Sequence, residues 1–158
     1  MRKQCAAETK PTISVSIPAK VVNVLHVCPI EADHLSLEAI VSHSTWKLVK
    51  SCDLKSALTL LQQRDIAVVL CDRELLPEKY GDVLKHINAM PNPPSLIVAS
   101  RLADDRLWAE ALNLGAWDVL SKPFDRCEVI RTVKSGWQHW YDQTQGRATA
   151  SKVMSAAS

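Results

Sequence analysis

Three polar residues of different chemistry close three apolar runs in this chain of 158 residues: Asp72 follows IAVVLC, Ser100 follows LIVA, and Lys122 comes just after WDVLS. If those runs are neighbouring parallel strands, their carboxyl ends converge, and ligands of open α/β sheets bind at such ends. A carboxylate, a hydroxyl and an ammonium brought together suit phosphoryl chemistry. The carboxylate acts as nucleophile while the other two contact phosphoryl oxygens. Taken singly, each has a plain role as well: Asp72 as a helix cap, Ser100 as a strand-end hydroxyl, Lys122 as a solvated cation.

The elements that must position these groups are legible in order. Residues 66–71 form a short run rich in β-branched side chains, which a strand covered on both faces requires. Strands are expected at 21–27, 46–49, 96–99 and 117–120 as well, the first closed by Cys28 and Pro29. Helices are expected over about 33–44, from an Asp53 cap to Arg64, over 80–90 before the breaker cluster PNPP, from Asp104 to a Gly115 stop, and from an Asp125 cap to Tyr141. Strand and helix thus alternate five times. Short connections leave only crossovers, so the fold class is α/β, a doubly wound five-stranded parallel sheet with helices on both faces.

Length fits one domain, expected over 21–142, between a loose polar arm at 1–20 and a disordered tail at 143–158. Residues 12–16 alternate weakly, in a way that would suit pairing with a sheet edge. A formal net charge of +2 carries no basic stripe, which argues against nucleic acid and anionic membranes as partners. The five cysteines are odd in number and lack CxxC spacing, so reduced thiols are expected rather than a disulfide framework or zinc. The five histidines lie on separate elements and form no metal cluster in the sequence. With no signal peptide and no membrane-length apolar stretch, the expected location is the cytoplasm.

The residues from Val21 to Tyr141 resemble the receiver domain of two-component response regulators. VVLCD at 68–72 is similar to the family's strand ending on the phosphoacceptor aspartate, LIVAS at 96–100 to its strand ending on the switch hydroxyl, and LSKPF at 120–124 to its Lys-Pro signature. The resemblance implies the flavodoxin-like receiver fold with strand order 2-1-3-4-5, and a cis Lys122-Pro123 bond. It implies that Asp72 accepts phosphate from a histidine kinase or phosphotransfer protein, that Ser100 moves toward the phosphoryl group, and that Lys122 contacts it. It also implies a magnesium ion held by Asp72, by the Glu74 backbone carbonyl and by an acidic pair after the first strand.

Cys28 and Pro29 occupy the places of that pair. A soft thiol and a side chain without a donor do not replace carboxylates around a hard cation, so magnesium binding is expected to be impaired, with Glu31 or Asp33 as candidate replacement ligands. Val119 stands where many receivers place an aromatic residue; Trp117 is expected on the same strand face. Pro77 follows Asp72 by one residue more than usual, which leaves the register of Leu75 and Leu76 open.

The expected function is a single-domain, atypical receiver that signals by protein–protein contact rather than as an enzyme. Its output face would be the fourth helix, fifth strand and fifth helix, where Trp108, Trp117, Trp137 and Trp140 cluster. Trp108 is expected in the core there, with Trp137 and Trp140 available for an interface or a homodimer. Two alternatives remain: a phosphorylation-independent pseudo-receiver scaffold, and a phosphatase of haloacid dehalogenase type with an aspartyl nucleophile. The latter needs a further acidic pair that PFDRCEV does not supply, and a flavodoxin-like cofactor binder needs a first loop richer in Gly, Ser and Thr than CPIEAD. A thiol switch at Cys28 is disfavoured by its acidic neighbours, which raise a thiol's pKa.

Overall fold

The computed structural model describes residues 21–75 and 78–157, with side chains described as far as residue 147. The arm at 1–20, including the weakly alternating 12–16, and the loop positions Leu76 and Pro77 lie outside the described residues. Ten elements alternate along the chain: β1 (Val22–Val27), α1 (Glu31–Val41), β2 (Trp46–Ser51), α2 (Leu54–Gln63), β3 (Ile66–Asp72), α3 (Tyr80–Asn88), β4 (Ser95–Ser100), α4 (Asp105–Leu114), β5 (Asp118–Ser121) and α5 (Arg126–Ala157). The five strands form one parallel sheet in the order β2-β1-β3-β4-β5. This is the flavodoxin-like order expected.

Every residue of β3 is buried, as a central strand with helices on both faces demands. Its side chains divide by the period of two. Val69 and Cys71 join a cluster that takes Ala57 and Leu61 from α2, Val83 and Ile87 from α3, and Leu107 and Ala111 from α4. Val68 and Leu70 join the opposite cluster with Leu37 and Val41 of α1 and Val129 and Val133 of α5. The sheet therefore has α1 and α5 on one face and α2, α3 and α4 on the other.

The helix ends follow local chemistry. Asp53 accepts from the Ser56 N–H and Asp104 from the Leu107 N–H, each satisfying a first-turn donor. Gly115 closes α4 at φ 108°, a left-handed conformation that glycine adopts without a side-chain clash. Gly136 has a different role, because it lets α5 approach the sheet. An added Cβ there would meet Ser95 Cβ at 3.4 Å and Val68 Cγ2 at 3.6 Å. The Ser95 hydroxyl donates to the Gly136 carbonyl at 2.7 Å.

Three expectations are corrected. The last helix does not stop at Tyr141 but runs to Ala157, through most of the stretch expected to be a disordered tail; Arg147 within it donates to the Pro91 carbonyl and to Asn92 Oδ1. Trp117 precedes β5 instead of sharing a face with Val119. It packs with the α1/α5 cluster, stacks on His139 at 4.2 Å and donates to Ser135, whereas Val119 is buried on the other face. Trp108 is exposed, while Trp137 and Trp140 are partly buried against the α1/α5 cluster, which reverses the assignment of core and surface among the tryptophans.

Leu70→Ala removes a fully buried side chain from the middle of the sheet and is expected to cost about 2–5 kcal/mol. Leu35→Ala, on the exposed side of α1, is expected to change stability by less than about 0.5 kcal/mol. Urea unfolding midpoints of the two variants check the contrast.

Candidate functional site

The carboxyl edge of the sheet holds a compact group of charges. Asp72 ends β3, Ser100 ends β4, and Lys122 follows β5, with the strands aligned so that Asp72 pairs with Ala99 and Ser100 with Ser121. The Lys122 backbone N–H donates to the Ser100 carbonyl at 3.0 Å, and the Lys122-Pro123 peptide is cis, as the resemblance implied. The Lys122 ammonium lies 3.0 Å from Asp72 Oδ1 and 2.7 Å from Asp33 Oδ2, and it is almost fully removed from solvent. One cation is thus shared by two buried carboxylates.

Asp33 reaches this point from the first turn of α1. Its other oxygen receives a hydrogen bond from Arg101 Nη2 at 3.3 Å. Cys28, at the end of β1, fills the space between the acids, its thiol directed to Asp33 Oδ2 at 3.6 Å and to Asp72 Oδ2 at 3.8 Å. Lys122 Nζ stands 3.8 Å from the same sulfur. The Ser100 hydroxyl faces its own loop and accepts from the Leu102 N–H at 3.0 Å.

The charge states follow from these neighbours. Burial alone would raise the Asp33 pKa, but the Lys122 hydrogen bond and charge, together with Arg101, outweigh it and hold the carboxyl below its ordinary range. Burial likewise opposes the charge on Lys122, and its hydrogen bonds to Asp33 and Asp72 overcome this and raise its pKa. Burial pushes the Cys28 thiol up to about 11, so it is a neutral thiol at neutral pH.

Of the candidate magnesium ligands, Asp33 is brought to Asp72, whereas Glu31 and the Glu74 side chain are exposed, and so is Pro29. Among the described residues no group of three or more His, Cys, Asp or Glu side chains is arranged to hold a metal ion. Cys28, Cys52 and Cys71 are free thiols, but Cys127 is disulfide-bonded, against the expectation of a fully reduced set.

Two features escaped the sequence. Arg101 follows Ser100 directly, and a cation beside a candidate hydroxyl was the available signal. His26 and His34, which look scattered along the chain, meet at 4.4 Å between ring centroids next to the site. His34 Nε2 bonds the Cys28 carbonyl at 2.8 Å. Among the described residues His26 has no hydrogen-bond partner for either ring nitrogen; burial, followed by the charges of His34 and Lys122, lowers its pKa to about 3.

A doubly wound parallel sheet of order 2-1-3-4-5, carrying an acid–lysine pair at its carboxyl edge, defines the receiver class of α/β domain. Residues 33–134 match the response regulator receiver domain, and the chain belongs to that family. It is 34% identical over 112 residues to an uncharacterized transcriptional regulatory protein, YcbL, of Bacillus subtilis, covering 67% of this chain and 48% of that protein. The regulatory protein VirG of Rhizobium radiobacter is 25% identical over 113 residues, with 69% of this chain and 42% of that protein covered. The chain thus spans about half or less of the length of these curated relatives.

The signal receiver domain of an HD domain-containing protein from Pseudomonas fluorescens superposes with a TM-score of 0.75 at 23% identity, covering 84% of this chain and 98% of that one. The receiver domain of the sensor histidine kinase PA1611 from Pseudomonas aeruginosa, solved with a magnesium ion coordinated in its active-site cleft, superposes at 0.67 with 20% identity and coverages of 75% and 99%. No helix among the described residues is long and apolar enough to cross a membrane.

The lowered Asp33 pKa sets a pH dependence. A carboxyl depressed in the folded state contributes stability that is complete above its unfolded pKa, about 3.9, and is lost as pH falls through the folded value. The stability advantage of the wild type over Asp33→Asn is therefore expected to be constant near neutrality and to shrink below about pH 4. Denaturant unfolding of both proteins across acid pH measures it.

Proposed function

We infer that this receiver accepts a phosphoryl group on Asp72 from a histidine kinase or phosphotransfer protein, with Ser100 as switch hydroxyl, Lys122 as phosphoryl contact and a weakened dependence on magnesium. The observation that carries the reading is the Asp72 carboxylate at the sheet's carboxyl edge, 3.0 Å from a buried ammonium. Lys122 lies against the Asp72 carboxylate and offers its charge to the incoming group. In the transfer, an Asp72 oxygen bonds phosphorus as the donor's P–N or P–O bond breaks, and the electron pair of that bond leaves with the donor.

The residues present do not fit a magnesium ion. The place after β1 holds a neutral, soft thiol, and the carboxylate that reaches Asp72, Asp33, is already bonded to Lys122 at 2.7 Å. Nothing in the proposed transfer is routed through the metal.

The output is proposed to run by protein contact across α4, β5 and α5, in a cytoplasmic protein whose receiver unit is 21–142. The exposed Leu102, Trp108, Leu112 and Leu114 around α4 support a docking surface there, for a downstream partner or a second copy. A second reading, a scaffold independent of phosphorylation, draws on Cys28, since the same thiol that weakens metal binding removes a driving force for transfer.

Acetyl phosphate treatment followed by intact-mass measurement separates the two readings. The expected result is an adduct on the wild type, absent from Asp72→Asn, whose rate of formation falls only a few fold when magnesium is chelated. Cys28→Asp is expected to make the rate strongly magnesium-dependent. No adduct under any condition would favour the scaffold.

A further inference from the structure

We propose that Asp33 is a built-in anion occupying an oxyanion seat formed by Lys122 and Arg101, and that these two cations together receive the phosphoryl oxygens once Asp33 is displaced. The inference rests on the phosphoacceptor reading of Asp72 for its function, but the seat itself is a matter of charge and geometry.

The position of Asp33 is not explained by its helix. An acid in the first turn of a helix ordinarily serves the free N–H groups and the dipole. Here Ile30 occupies the cap with no side-chain bond, and the Asp33 carboxylate is directed away across the pocket. Both of its oxygens are spent there, Oδ2 on Lys122 at 2.7 Å and Oδ1 on Arg101 at 3.3 Å. The contact from Lys122 to Asp33 is shorter than the 3.0 Å contact to Asp72, so the lysine is held at least as closely by the visiting acid as by the strand-end acid. What the Asp33 oxygens stand in for is a tetrahedral oxyanion.

Charge counting leads to the same place. Asp33 and Asp72 balance Lys122 and Arg101, with Cys28 neutral between them. A phosphoryl group on Asp72 exchanges one negative charge for roughly two. The added charge needs a cation, and Lys122 and Arg101 are both engaged by Asp33. Release of Asp33 frees them together. Arg101 pays little to move, since its side chain is 61% exposed, while Lys122 is 2% exposed and stays in place.

Arg101 is also tied to the switch hydroxyl. It lies between Ser100 and Leu102, and the Ser100 Oγ accepts from the Leu102 N–H, a bond that fixes the backbone on either side of Arg101. When Ser100 turns to a phosphoryl oxygen, that bond opens and Arg101 is freed to follow.

The seat can be tested without any phosphoryl transfer. Inorganic phosphate is titrated in the presence of EDTA, and the amide resonances of residues 100–102 and 122 are followed by NMR. Asp33→Asn is expected to bind phosphate about tenfold more tightly than the wild type, about 1.4 kcal/mol, and adding Arg101→Ala is expected to cancel most of the gain. No gain in Asp33→Asn, or a gain indifferent to Arg101, overturns the proposal.

If Asp33→Asn does not fold, Arg101→Ala alone decides: a severalfold loss of phosphate affinity supports the seat, and no loss overturns it. Magnesium titration supplies the opposite arm. A wild-type magnesium affinity that collapses in Asp33→Asn makes Asp33 a metal ligand and sinks the built-in anion. Absence of any aspartyl phosphate would remove the phosphoacceptor reading while the phosphate titration still stands.

Discussion

The constraint on which the carboxyl edge depends is the burial of one ammonium between two carboxylates. Lys122 is taken out of water, at a cost that only close, hydrogen-bonded partners offset. It finds Asp33 on α1 and Asp72 on β3, so three elements distant in the chain are drawn to one point. Each partner answers for the others. Without the lysine, two acids would face one another beside a neutral thiol, and without either acid, a buried cation would be undercompensated. Raised and lowered pKa values on the two sides of this contact describe the same attraction.

That attraction also connects the site to the surface. Arg101 holds Asp33 from the loop leaving β4, and that loop starts directly after Ser100 and leads to α4, whose Trp108 and Leu112 are exposed. A change in how Asp33 is held is felt first at the residues between Ser100 and Leu102. The apolar side chains of α4 lie a turn or two beyond.

Much of the fold was legible because its signals are local. The β-branched run ending at Asp72 has only one good structural solution, a central parallel strand, and the Asp53, Asp104 and Gly115 helix boundaries follow from backbone groups within four residues. Boundaries failed where tertiary contacts decide. The last helix extends past Tyr141 to Ala157, and part of it is held by Arg147 against a loop that no local pattern announces. Trp108 and Trp137 exchanged their expected places because helical spacing shows which residues share a face but not which face meets the sheet. In the site, Asp72, Ser100 and Lys122 were visible as strand-end residues. Asp33 was visible only as one of two acids in a loop, and its selection over Glu31 depends on the turn of α1 that buries one and exposes the other. Arg101 could not be assigned until β4 and α1 were brought together.

The close seating of α5 at Gly136 has a mechanical meaning. The helix comes close to the sheet where the side chain is missing and where Ser95 holds the backbone carbonyl, and that point can serve as a fulcrum. At 1.5 Å per residue, about 15 Å of α5 lies on the side of the sheet's carboxyl edge and about 32 Å on the far side. A lever with arms in a ratio of about two enlarges whatever tilt it receives. A displacement too small to disturb the sheet near Lys122 would arrive roughly doubled at the end of the helix.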